Sequence, residues 1–70
     1  MEEFDLEGRE FVELHKLLKI TGLCASGGEA KALIAEGLVQ VDGAVELRKR
    51  CKIRPGQQVE FQGRQLVVTV

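Results

Sequence analysis

Between Ser26 and Gly43 the spacing of apolar residues changes once, from helical to alternating. Ala30, Leu33 and Ile34 fall on one face of a helix. Val39 and Val41 then stand on one side of a strand, with Gln40 on the other. The punctuation agrees with the spacing. Ser26 and Glu29 have the Ser-x-x-Glu pattern of a capping box, in which each side chain satisfies a backbone N–H that the first helical turn leaves unpaired. Gly37 suits the left-handed residue that ends a helix. Asp42-Gly43 is a two-residue hairpin signal. The stretch therefore predicts one short helix, one strand and one tight turn.

Upstream, Phe4-Asp5-Leu6 and Phe11-Val12 flank Glu7-Gly8-Arg9, which predicts a short hairpin with Gly8 in the turn. The alternative is a helix beginning near Glu10, because Phe11, Leu14 and Leu18 also fit helical spacing. With the hairpin, the first helix runs from about Glu13 to Ile20 and buries Leu14, Leu17 and Leu18. Lys16 and Lys19 lie on its opposite face, with His15 beside them. Thr21-Gly22 ends it, and Leu23-Cys24-Ala25 links it to the capping box. Neither helix is long enough to hold in water alone, so the two must pack on each other and on strands.

Downstream of the turn, Val45 and Leu47 continue the alternation. The segment 48–54 then holds five bases, Arg48, Lys49, Arg50, Lys52 and Arg54, and no acid. Extended, it puts Arg48, Arg50, Lys52 and Arg54 on one face and turns Cys51 and Ile53 to the core. Looped at 48–50, it fans the charges outward. Pro55-Gly56 turns the chain, and Val59-Glu60-Phe61 and Leu66-Val67-Val68-Thr69-Val70 read as strands joined around Gln62-Gly63. The fold class expected is α+β, two short helices on a small, mostly antiparallel sheet. Its expected core is Leu14, Leu17, Leu18, Leu33, Ile34, Val39, Val41, Ile53, Val59, Phe61 and Val67.

Seventy residues, 44% of them apolar, make one domain whose small core excludes a deep, dry catalytic pocket. No run of about 18 apolar residues is present to span a membrane. The acidic start, Met1-Glu2-Glu3-Phe4-Asp5, lacks the basic and apolar regions of a signal peptide, which predicts a cytoplasmic location and reduced cysteines. The net charge of -1 conceals a division. Residues 1–15 carry six acids against Arg9 alone, whereas residues 16–54 carry eight bases against four acids. A local positive cluster of this kind, not the total, is the footprint of an anionic partner. Arg48, Lys49, Arg50 and Lys52 are the residues expected to neutralise phosphates, with salt-sensitive affinity. Their structural alternative is a solvated segment guarding a sheet edge.

His15, Cys24 and Cys51 have neither metal-ligand spacing nor a second histidine for a triad, so no metal, cofactor or catalytic residue is expected. The helix end at Ser26-Gly27-Gly28 could face a phosphate, but Glu29 competes for it. Three Phe with no Tyr or Trp argue against a single-strand stacking platform.

Taken together, Leu14, Leu17-Leu18-Lys19, Gly22-Leu23, Ser26, Ala30, Leu33-Ile34, Gly37-Leu38-Val39-Gln40-Val41-Asp42-Gly43 and Pro55-Gly56 resemble a known pattern. It is that of the small RNA-binding domain named after the fourth protein of the small ribosomal subunit, the S4 domain, with its αL motif. The likeness covers about residues 12–61, within one RNA-binding domain of residues 1–70, and is strongest to the family's short stand-alone bacterial members. Asp42 stands where the family usually has Asn, and Gly27 and Gly28 stand where many members carry arginine or polar residues. The resemblance implies non-catalytic binding of structured RNA, ribosomal or transfer RNA; the chain is expected to be a monomer. It adds Lys19 and Lys31 to the candidate contacts, because the two helices form the motif's binding side, and places Lys16 and Arg54 at the rim. The competing expectation is a module that docks a ribosomal or RNA-processing protein by complementary charge.

Overall fold

The capping box, helix, strand and turn form as read. In the computed structural model, which describes residues 1–70, Gly27–Ala35 is a helix entered through Ser26. Ser26 Oγ accepts the Glu29 N–H at 3.1 Å, and Glu29 Oε1 accepts the Ala25 N–H at 3.2 Å, one residue before the usual partner. At the other end Gly37 has φ +80°, its N–H donates to Ile34 O, and the Leu38 N–H donates to Leu33 O. Those two bonds make a Schellman end, which needs a residue without a Cβ penalty at position 37. Asp42 and Gly43 both have positive φ, as a type I′ turn requires.

In chain order the elements are β1 (Glu2–Asp5), β2 (Val12–Glu13), α1 (Leu14–Ile20), α2 (Gly27–Ala35), β3 (Val39–Val41), β4 (Ala44–Val45), β5 (Lys52–Ile53), β6 (Gln58–Phe61) and β7 (Arg64–Thr69). The main sheet has strand order β1-β7-β6-β3-β4, and β2 pairs with β5 in a separate two-stranded sheet. Every pairing is antiparallel except β1 with β7. The helices α1 and α2 pack on one another. No helix is long and apolar enough to cross a membrane.

The N-terminal hairpin is not formed. Glu7-Gly8 does make a turn, with the Arg9 N–H donating to Leu6 O at 3.1 Å. The strands on either side of it part, however. β1 runs parallel to the last strand, Glu2 opposite Leu66 through Asp5 opposite Thr69, while β2 lies against β5. The reason is burial. With the two strands in different sheets, Leu6 and Val12, on the two sides of the turn, are both buried in the core.

Leu14, Leu17, Leu18, Ile34, Val39, Val41, Ile53, Val59 and Phe61 are buried as expected, joined by Leu6, Val12, Cys24, Ala30, Leu66 and Val68. Burying one such leucine or isoleucine is worth about 1.5–3 kcal/mol. Leu33 is only half-buried at the edge of this cluster. Val67 is also half-buried, because the Gln62-Gly63 turn sets Val59 opposite Leu66 and leaves Val67 opposite exposed Gln58 on the outer face. Both cysteines are free thiols; Cys24 is buried and Cys51 half-buried.

Candidate nucleic-acid interface

The basic segment adopts its looped form. A turn closes with the Cys51 N–H on Arg48 O at 3.2 Å, and only Lys52 and Ile53 are extended. The loop is fastened by the start of α1. A helix leaves its first N–H groups without partners. Here Leu14 N–H donates to Cys51 O at 2.9 Å and His15 N–H to Lys49 O at 3.1 Å. The buried His15 ring adds Nδ1–H to the same Lys49 oxygen at 2.9 Å. A carbonyl only accepts, so Nδ1 carries the proton. His15 thus anchors the loop, and with the carbonyls turned inward Lys49 and Arg50 remain exposed.

Arg48 differs from its neighbours. Its Nε and Nη2 each sit 3.0 Å from a different oxygen of Glu46, and its backbone N–H donates to Glu46 Oε2 at 2.9 Å. The Arg48 side-chain and backbone donors hold the Glu46 carboxyl down to about 2. The same bonds, with the carboxylate's field, raise the Arg48 guanidinium above its ordinary value. Burial, followed by Glu46, pushes the Cys51 thiol up, so Cys51 is a packed thiol and not a thiolate. Thus a base read from the sequence as free of acids is already matched.

The remaining candidates divide by location. Arg50 and Lys52 line one shallow depression with Arg48 and Cys51. Lys52 continues it onto the outer face of the β2–β5 sheet, whose inner face buries Val12 and Ile53. On that outer face Lys52 Nζ lies 5.0 Å and Arg54 Cζ 5.6 Å from the centre of the Phe11 ring. Arg54 thus shares this outer face with Lys52 and Phe11. Glu13 lies there too; its carboxyl is held below the usual range, first by Lys16 at 3.3 Å and more weakly by Arg50. Lys16 is thereby spent on an ion pair. Lys19, exposed in the last turn of α1, and half-buried Lys31 on α2 lie on the helix pair, outside the depression. Neither has an acid within ion-pair distance, since the pairs present are Glu13–Lys16, Glu46–Arg48 and Glu2–Arg64. Lys19 also complements the negative end of its helix.

Asp42, the departure from the family's Asn, has a structural use. Its Oδ1 accepts the Gln58 N–H at 2.9 Å and its Oδ2 accepts Gln57 Nε2 at 3.1 Å, stitching the β3–β4 turn to the start of β6. At the start of α2 the Glu29 carboxylate sits on the Ala25 N–H, putting a negative charge beside the end that an anion would approach.

The S4 domain pattern matches residues 4–69. The chain belongs to the S4 domain family. The family match extends past the residues that carried the resemblance and takes in β1 and β7. YbcJ of Escherichia coli (strain K12) and YbcJ of Shigella flexneri are each 54% identical to the chain over 68 residues, covering 97% of both partners. The solution structure of YbcJ from Escherichia coli, which reveals an αL motif involved in RNA binding, superposes with a TM-score of 0.77 at 53% identity. It covers 100% of this chain and 89% of that one. The helix pair and the hairpin after it, the best punctuated part of the sequence, lie within the matched residues.

Proposed function

We propose that the chain binds structured RNA, of the ribosomal or transfer RNA class, through one basic face and without a chemical step. The face consists of Lys49, Arg50, Lys52 and Arg54, with Lys19 and Lys31 on the adjoining helices and Arg48 in a secondary part. One observation carries the reading. The start of α1 clamps the basic loop by its carbonyls, so exposed, unpaired cations are held in place before any partner arrives. Preordering of this kind lowers the entropic cost of binding. Membership in the S4 family and likeness to YbcJ, whose αL motif is involved in RNA binding, support the same partner. Phosphate contacts would position the RNA, and the shape of its helix would select it. The reading places the chain in the cytoplasm as a monomer.

A protein partner is the second reading, favoured by the exposed Leu38, Val45 and Leu47 near the basic loop. An amide NMR titration with a structured RNA hairpin at low and high salt separates the two. Shifts at residues 48–54, Lys19 and Lys31 that fade at high salt are expected. Their absence at low salt would remove RNA and leave the protein partner.

A further inference from the structure

Of the three phenylalanines, Phe61 is buried and Phe4 packs against the core from its edge. Phe11 does neither. It is half-buried, yet it is not among the side chains packed against the core cluster. The β2–β5 register explains this. Val12 opposite Ile53 faces inward, so the residue before Val12 and the residue after Ile53, Phe11 and Arg54, face outward together with Lys52. The groups found over the ring are two cations, at 5.0 and 5.6 Å. This aromatic outside the core lies against two cations that have no acid within ion-pair distance, one of which, Lys52, also lines the depression with Arg50.

We propose that Phe11, with Lys52 and Arg54, forms a stacking subsite for one unpaired nucleobase. The RNA taken is then a helix carrying a bulged or terminal unpaired nucleotide. This rests on the RNA-binding reading above and adds to it a preference within structured RNA. Stacking a base on an aromatic ring is worth roughly tenfold in affinity. An exposed cation–π contact is worth only about two- to fivefold, so a base can displace one cation from the ring at a net gain. The displaced Lys52 or Arg54 then stands beside the backbone that flanks the base, where it neutralises phosphate. One aromatic accepts one base, which is compatible with a chain that has no extended stacking platform.

The test uses two RNA hairpins differing only in one bulged nucleotide, with 2-aminopurine as the bulged base. Wild-type protein is expected to favour the bulged hairpin by roughly tenfold and to change the 2-aminopurine fluorescence on binding. Phe11→Leu keeps an apolar side chain and removes the π-face. It is expected to abolish both the preference and the fluorescence change while binding the hairpin without the bulge as wild type does. Phe11→Trp is expected to keep both. Equal binding of the two hairpins by wild type, or a preference that survives Phe11→Leu, overturns the stacking subsite and leaves the basic face intact. Failure of wild type to bind either hairpin at low salt overturns the RNA reading as well.

Discussion

Lys49→Gln with Arg50→Gln removes two exposed cations from the clamped loop and leaves its backbone bonds in place. The chain has ten Lys and Arg residues, of which Lys16, Arg48 and Arg64 are ion-paired. Each cation that contacts a phosphate contributes about 0.7–0.9 to the slope of log K against log salt, so the double variant should flatten that slope by about 1.4–1.8. Each exposed contact is worth about 0.5–1 kcal/mol, which sums to roughly a five- to thirtyfold loss of affinity at low salt. Glu2→Gln with Arg64→Gln, a pair outside the proposed face, is the matched control. It removes a pair whose charges cancel, so the slope should stay within about 0.3 of wild type. The assay is fluorescence anisotropy of a labelled RNA hairpin between about 50 and about 200 mM salt. The reasoning is refuted if the Lys49/Arg50 variant keeps the wild-type slope, or if the neutral pair variant loses as much slope as it does.

Other substitutions test the frame that holds this face. Gly37→Ala should destabilise the fold by about 1 kcal/mol in urea unfolding, a loss of about 4–8 °C in Tm. The cost is conformational, because φ is +80° while an added Cβ would meet Val45 and Leu47 only at ordinary contact distances of 3.7 and 3.9 Å. Leu17→Ala, at a fully buried position, should cost about 2–5 kcal/mol and narrow the amide chemical-shift dispersion toward that of an unfolded chain. The Glu46 carboxyl is depressed from 4.5 to about 2, so its contribution to stability is complete above pH 4.5 and is lost as pH falls toward 2. The Arg48 Nε–H resonance should accordingly hold its position through pH 4 and move only below pH 3; movement centred at pH 4.5 would contradict the bidentate pair.

The residues that the sequence placed correctly are those whose structure is decided within a few positions of themselves. Ser26 and Glu29 begin α2, Gly37 ends it, and Asp42-Gly43 folds β3 onto β4, each through bonds to near neighbours. For the same reason the α+β class, most of the core and the S4 resemblance were legible before any coordinates. Local signals failed where two answers were equally good along the chain. Leu66-Val67-Val68 is apolar throughout, so alternation could not say which side faces in. The pairing of Val59 with Leu66 did, although the two-residue turn at Gln62-Gly63 held that register in plain view.

Long-range pairing decided the rest. Phe4-Asp5-Leu6 reads as a strand, but nothing near it names its partner, and the C-terminal strand claims it because that pairing seats Leu6 in the core. The basic run was visible as charge, yet charge alone does not distinguish a free cation from a matched one. Glu46 was within two residues of Arg48, and only the bend of the loop turned that proximity into a bidentate pair. His15 and Phe11 show the same division. One is a clamp and the other a half-buried ring beneath two cations because α1 and β2 meet residues 49–54, more than 30 positions away along the chain. Sequence carries what hydrogen bonds of short span can enforce; which cations stand free, and beside what, depends on contacts that exist only once the two sheets and two helices close around one core.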